Sequence, residues 1–447
     1  MLVGAVMYWV ARFGVVPWIL LAAIEGLAAA GTVALILPLR HRAGLPRVVH
    51  AAAAWTACEW VRTLGPFGVP WAQLGHSQSN ILPVAQWASV GGVEFISFAL
   101  ALVSAALADT LARGRKRFAN FRLVLAVAAV LLVLAGLGYG RARAVESLTG
   151  QGPKMRVALV QASVQADLRS SDVNEPITPQ QREQYMAAHE ALTRQAARKN
   201  PRLIVWPESA VPGDPVLEFD LRDRLAALAR ECSAWLVVGA HHYTERGDVN
   251  SAFLVSPEGR FSGRYDKVHL VPFGEYVPGR KWLPLLNRYN VLTSDVAPGN
   301  HFTVWRLPEA IGPMICFESV FPHISRTLRR RGAGLLVVIT NDAWFGKTAA
   351  AEQHLQIGRF RAIEQGISVV RAAASGISCA ILPDGRVVRR AGLATRQALV
   401  ADVPVKPVPT AYRLLGPAFP AACLLLACLT ALAAVLRKKA RHQGRSH

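Results

Sequence analysis

Long apolar runs, broken by short basic patches, fill the first third of the chain and return only near its end. Pro17 to Leu39, Leu82 to Ala108, Arg122 to Gly140 and Ala418 to Leu436 are each long enough to cross a hydrocarbon layer, which takes roughly 20 helical residues for a thickness of about 30 Å. Val48 to Leu64 is a weaker span, because Cys58, Glu59 and Arg62 interrupt it. Met1 to Phe13 is apolar but too short for a full crossing. It has neither the basic start nor the small-residue cleavage site of a secretory signal, so it reads as a partial, membrane-embedded and retained segment.

From about Lys154 to Val405 the pattern changes. Arg156 to Val164, Leu203 to Trp206, Trp235 to Ala240, Pro313 to Cys316 and Leu335 to Thr340 are short and rich in β-branched residues, which predicts buried strands. Pro179 to Arg198, Glu218 to Glu231, Phe321 to Arg331 and Ala350 to Gln365 predict helices between them. Pro383, Asp384 and Gly385 predict a turn joining Ile377 to Leu382 with Arg386 to Arg390 as a hairpin. Alternation of this kind specifies an α/β domain. The expected organisation is a multi-pass α-helical membrane region over residues 1–145, an α/β domain over 153–406, a returning helix over 416–436 and a basic tail over 437–447.

Composition sharpens this picture. Of 447 residues 52% are hydrophobic and 18% charged, which argues against a disordered or purely soluble chain. The net charge of +21 suits nucleic acid or anionic lipid, and the placement of the basic residues favours membrane and no nucleic acid. Arg40, Arg42 and Arg47 separate the first two spans, and Arg113, Arg115, Lys116 and Arg117 separate the next two, marking both loops as cytoplasmic. Gly65 to Ile81 lacks Lys and Arg and fits the outer face. Counting onward places the α/β domain outside the cytoplasm and brings Arg437, Lys438, Lys439 and Arg441 back inside.

Six cysteines in a chain of this size form no disulfide framework, and none has metal-ligand spacing. Cys58, Cys423 and Cys428 sit in apolar stretches as small hydrophobes. Reactive groups in α/β folds gather at strand ends. One predicted strand runs into Pro207 and Glu208, another into Cys316, Phe317 and Glu318, and a third into Asn341 to Gly346; Lys267 and Glu275 lie in a loop bounded by Pro and Gly. A thiol with a carboxylate base and an ammonium beside it is equipped for acyl transfer. The same residues, taken singly, also serve as packing and ion-pair partners, and sequence spacing does not prove that they meet.

Trp206-Pro207-Glu208, the run from Tyr265 to Pro278 (YDKVHLVPFGEYVP), Ile315 to Ser319 (ICFES) and Asn341 to Gly346 (NDAWFG) resemble the nitrilase superfamily. More narrowly, together with Glu59 to Arg62 and Phe67 to Trp71, they resemble its integral-membrane branch, the apolipoprotein N-acyltransferases. The resemblance implies a nitrilase-like αββα sandwich with Glu208 as general base, Lys267 as stabiliser of oxyanion and thiolate, and Cys316 as nucleophile. It implies Glu275 orienting Lys267, Glu318 supporting the nucleophile loop, and Phe317, Trp344 and Phe345 contacting substrate. His354, Arg361 and Glu364 lie at helical spacing and read as packing and ion pairing.

The implied reaction takes the sn-1 acyl chain of a phospholipid onto Cys316 as a thioester, then passes it to the α-amine of a diacylglyceryl-cysteine at a lipoprotein N-terminus. It needs no metal or organic cofactor. The implied location is a bacterial cytoplasmic (inner) membrane, with the catalytic domain on its outer, periplasmic face. The chain departs from the family in two ways: the family usually has further N-terminal helices, which implies a late start or a reduced base, and Phe317 stands where tyrosine is usual. Two other readings are a membrane-anchored amidase acting on a small carbon-nitrogen substrate, and a transporter or receptor in which polar groups inside the spans, such as Glu94, do the work.

Overall fold

The computed structural model describes residues 2–39, 44–112, 117–164, 178–278 and 295–443. The chain forms two compact units, Met1–Glu146 with Thr410–His447, and Ser147–Pro409. Arg40, Arg42, Arg113, Arg115 and Lys116, on which the loop assignment leans, lie outside the described residues, as do the last four residues of the tail.

Among the described residues, four helices are long and apolar enough to cross a membrane: Val15–Leu39, Val93–Leu111, Val124–Gly150 and Ala418–Arg437. Leu27, Leu132, Val133, Leu137 and Leu429 on these helices are all more than half exposed. Hydrocarbon solvates such a surface and water does not. Leu45–Val61 has a different character, burying Ala52, Ala53, Ala54 and Ala57, small residues that let neighbouring backbones approach. The apolar run from Leu82 to Ala108 is not one helix. Leu82–Ala85 and Ala88–Gly91 are single turns, and the long helix begins at Val93 after Gly92, whose φ of 77° breaks the path. Met1 to Phe13 contains two short helices, Leu2–Val6 and Tyr8–Phe13.

The sequence suggests Glu59 as the partner of Arg62, and the structure differs. Arg62 donates to Glu25 at 3.0 Å and to the carbonyls of Val69 and Trp71 at 3.0 and 2.7 Å. Glu59 accepts the Leu74 backbone N–H at 2.8 Å, Ser97 accepts that of Gly75 at 2.9 Å, and Glu94 accepts from the Gln73 side chain. Irregular backbone in an apolar surrounding needs internal partners, and these polar side chains provide them.

Among its described residues, the second unit holds two six-stranded sheets. The first has the order β12-β1-β2-β3-β4-β5, with β1 Lys154–Gln161, β2 Leu203–Val205, β3 Trp235–Thr244, β4 Gly247–Val255, β5 Phe261–Asp266 and β12 Gln397–Pro404. The second has the order β11-β10-β9-β8-β7-β6, with β6 Trp305–Arg306, β7 Ala310–Ile315, β8 Leu335–Thr340, β9 Ser368–Ala373, β10 Cys379–Ile381 and β11 Val387–Arg390. The triplets β1-β2-β3 and β7-β8-β9 are parallel, and the strands flanking them are antiparallel.

Successive side chains on a strand point to opposite faces. Met155, Val157 and Leu159 therefore enter the core between the sheets with Ile311, Leu335, Val337 and Val370, while Ala158 and Val160 meet Met186, Leu225 and Leu228 from the helices Pro179–Ala197 and Phe219–Cys232. Helices Pro322–Arg330 and Ala350–Gln365 pack on the second sheet, completing an αββα sandwich. All four helices fall where their periodicity predicts. The expected strands ending at Trp206 and Cys316 stop one residue earlier, because both residues begin the turns that carry the site.

Candidate active site

Cys316 follows β7 with φ at 52°, the left-handed region that costs a non-glycine residue roughly 1–2 kcal/mol. Glu318 holds this turn. Its carboxylate is fully buried, and Oε2 accepts the backbone N–H of Ile315 at 2.8 Å. Oε1 accepts the Tyr265 hydroxyl at 2.7 Å and the N–H groups of Val268 and His269 at 2.8 and 3.1 Å. One side chain thus ties the cysteine turn to the segment that carries Lys267.

Lys267 leaves the end of β5 and is 1% exposed. Its Nζ donates to Glu275 Oε1 at 2.8 Å and to Glu208 Oε1 at 3.4 Å. Burial alone would strip its proton, but the carboxylates of Glu275 and Glu208 outweigh that and hold the ammonium well above its ordinary range. Glu275 is fixed in turn by the Val271 N–H at 2.8 Å and by Asn250 at 3.3 Å. Glu208 accepts from Asn250 Nδ2 and from the Asn341 N–H, both at 2.7 Å.

The turn that presents Glu208 lies directly on β3. A Cβ at Gly239 would stand 2.4 Å from the Pro207 carbonyl oxygen and 2.6 Å from Glu208 Cα, so only glycine permits the approach. Cys316 itself keeps some accessible surface. Burial pushes its thiol well above the ordinary range, Glu208 adds to the rise, and Lys267 with a Thr340 hydrogen bond pulls the other way. Raised in this way the thiol stays neutral, with the Glu208 carboxylate in its electrostatic reach.

Beneath this layer lies a buried chain that sequence reasoning missed. Arg371 Nη2 donates to both oxygens of Asp342 at 2.8 and 2.7 Å and to His354 Nδ1 at 2.9 Å. His354 Nδ1 also lies 3.2 Å from Asp342 Oδ1, and its Nε2 lies 2.9 Å from Ser319 Oγ, which donates to the Cys316 carbonyl at 2.8 Å. Arg371 holds the Asp342 carboxyl well below the usual range despite its burial, and burial keeps His354 neutral. The sequence signal was Arg371 itself, a charge inside an apolar strand run; His354 does more than packing. Arg361 and Glu364 are the ion pair expected, at 2.8 Å.

Phe317 is half-buried and meets Phe321 edge-on at 5.1 Å, with His269 at 6.0 Å. Trp344 and Phe345 lie in the turn Asp342–Phe345 at the end of β8, partly exposed, and the Phe345 ring is 6.0 Å from His354. Among the described residues no group of His, Cys, Asp or Glu is arranged to hold a metal ion.

Residues 156–411 match the carbon-nitrogen hydrolase family, and residues 1–106 match the apolipoprotein N-acyltransferase N-terminal domain. An apolipoprotein N-acyltransferase of Geobacter metallireducens is 34% identical across 98% of this chain and 86% of its own length. One from Azotobacter vinelandii is 35% identical across 81% of this chain and 69% of its own. This chain belongs to the apolipoprotein N-acyltransferase family. An amidase from Nesterenkonia sp. is 22% identical over 57% of this chain and 92% of its own, with a TM-score of 0.43. Of the site residues expected from sequence, Lys267 bonds Glu208 and Glu275, Glu318 bonds the segment after Lys267, and Cys316 lies in electrostatic reach of Glu208 and Lys267.

Proposed function

We propose that the protein transfers an acyl chain from a phospholipid to the N-terminal amine of a lipid-modified protein through a thioester on Cys316. Glu208 takes the thiol proton while Sγ attacks the sn-1 ester carbonyl, and the Lys267 ammonium faces the negative charge that develops on the carbonyl oxygen. Collapse breaks the C–O bond, and the leaving alkoxide receives the proton from Glu208. The amine of a diacylglyceryl-cysteine then attacks the thioester, forming the amide and restoring the thiol. Glu275 keeps Lys267 aimed, Glu318 holds the nucleophile turn, and Phe317, Trp344 and Phe345 line the approach of the acyl chains.

The observation that carries this reading is Lys267. It is a buried ammonium clamped between two carboxylates, electrostatically coupled to a cysteine held in a left-handed turn. Both substrates are lipid-anchored, which suits a hydrolase-like domain joined to apolar helices. In this reading the helices cross a bacterial inner membrane, the catalytic domain stands on the outer face and the basic C-terminus is cytoplasmic.

Intact mass spectrometry tests the proposal. Full-length protein incubated with phospholipid in detergent gains a hydroxylamine-labile acyl mass, Cys316→Ala does not, and addition of a diacylglyceryl-cysteine peptide discharges it. No acyl adduct on the wild type, with hydrolysis of small amides instead, would favour the amidase reading.

A further inference from the structure

The second half-reaction leaves one proton unaccounted for. A terminal α-amine has an ordinary pKa of about 7.7–8.0 and arrives largely as ammonium at neutral pH. Amide formation makes a C–N bond, breaks the C–S bond and takes two protons from nitrogen. One restores the Cys316 thiol by way of Glu208; the other must reach solvent.

Beside Glu208 stands a group the mechanism has not used. Ser209 has φ at 51° and its Oγ lies 3.2 Å from His241 Nε2; His241 Nδ1 lies 2.8 Å from Asp248 Oδ2. A carboxylate only accepts, so Asp248 fixes the proton on Nδ1, leaves Nε2 as the acceptor and makes Ser209 the donor. This is the hydroxyl, imidazole and carboxylate order of a base-assisted relay. It is anchored to the turn that presents Glu208: β3, which carries His241, bonds that turn through Gly239 N–H to the Pro207 carbonyl at 3.2 Å and Val211 N–H to the Gly239 carbonyl at 3.0 Å.

We propose that Ser209, His241 and Asp248 form the proton exit for the amine acceptor: an ammonium N–H passes its proton to Ser209 Oγ as that hydroxyl gives its own to His241, which releases it to water. The inference rests on the function proposed above.

Exposure and charge favour this imidazole. The His241 side chain is 36% exposed, so it exchanges with solvent, whereas Lys267 is 1% exposed and Glu208 is already bonded to Asn250, Asn341 and Lys267. The groups facing His241 are Asp248 on β4, Glu208 at the end of β2 and Glu275 in the loop after β5. Burial lowers its basicity, but the three carboxylates prevail and raise it above the ordinary imidazole value. His269, on the Lys267 side, is the opposite case: burial, His323 and Lys267 hold it down to about 4, too weak a base for an ammonium.

The test separates the two half-reactions. Full-length wild type, Ser209→Ala and His241→Gln are loaded with acyl chain from phospholipid, and discharge to a diacylglyceryl-cysteine peptide is timed from pH 6 to 9.5. Roughly a tenth of the acceptor amine is already neutral at pH 7, so loss of the relay predicts discharge slowed up to about tenfold there. The deficit shrinks above pH 8, where the acceptor arrives deprotonated, and vanishes when hydroxylamine, a weakly basic nucleophile, replaces the peptide. Discharge equal to wild type at pH 7, or slowed equally at every pH and with hydroxylamine, overturns the relay. Absence of an acyl-enzyme in the wild type overturns the proposed function and the relay together.

Discussion

Glu318→Gln replaces one oxygen of a buried carboxylate that accepts four hydrogen bonds. The amide oxygen keeps Tyr265, Val268 and His269, but the new NH₂ group faces the Ile315 N–H, donor against donor. A hydrogen bond to a charged group contributes about 1.5–3 kcal/mol, and a buried N–H left unsatisfied costs about 1–3 kcal/mol. Ile315 directly precedes the strained Cys316, so the loss falls on the turn that aims the sulfur. If about 3 kcal/mol of it is felt in the transition state, acylation slows about 100-fold. Single-turnover acyl-enzyme formation, followed by intact mass, measures this, with thermal unfolding by tryptophan fluorescence alongside. The expected result is slow acylation, a lowered melting temperature and little change in the phospholipid concentration at half-saturation. Wild-type acylation with unchanged melting would refute the claim that Glu318 positions the nucleophile.

Gly239→Ala should retain the fold of the sandwich but cut acylation at least tenfold, because its Cβ displaces Pro207 and Glu208; unaltered kinetics would show that the turn tolerates the shift. Asp342→Asn leaves Arg371 uncompensated in the core, and breaking a buried pair in this way costs about 3–5 kcal/mol, visible as a lowered unfolding midpoint. His189 packs under Trp206 at 4.9 Å, donates through Nδ1 to the Tyr185 carbonyl, and is held by burial at a pKa of about 4. Its folded value lies below the unfolded one, so the unfolded chain binds more protons and stability falls as pH drops from about 6.5 towards 4, by about 3 kcal/mol in all. In His189→Gln that acid sensitivity should be reduced, as unfolding measured across the same pH range will report.

Sequence by itself determined the layers and pointed to the candidate chemistry. Helices such as Ala350–Gln365 and strands such as β8 are specified by local periodicity and β-branched runs, and both fall where that pattern predicts. The residues of the candidate triad stand in recognisable short motifs, because each is presented by a turn whose shape its neighbours set. β4, β5, β6, β9 and β12 went unseen for reasons visible in them: β6 is two residues long, β9 buries Arg371 and Ser368, and β4, β5 and β12 mix polar with apolar positions because much of their environment comes from neighbouring strands.

Tertiary structure alone decided which polar groups meet. Lys267 could have paired with any nearby carboxylate; the sandwich brings Glu208 to it from another strand and Glu275 from its own loop. Arg62 passes over Glu59 for Glu25 on another helix, and Ser209, His241 and Asp248 are unremarkable until β3 and β4 align them. Apolar burial is non-directional and can be read from pattern, whereas a hydrogen bond depends on ångström distances between groups far apart in the chain, which exist only once the sheets have packed.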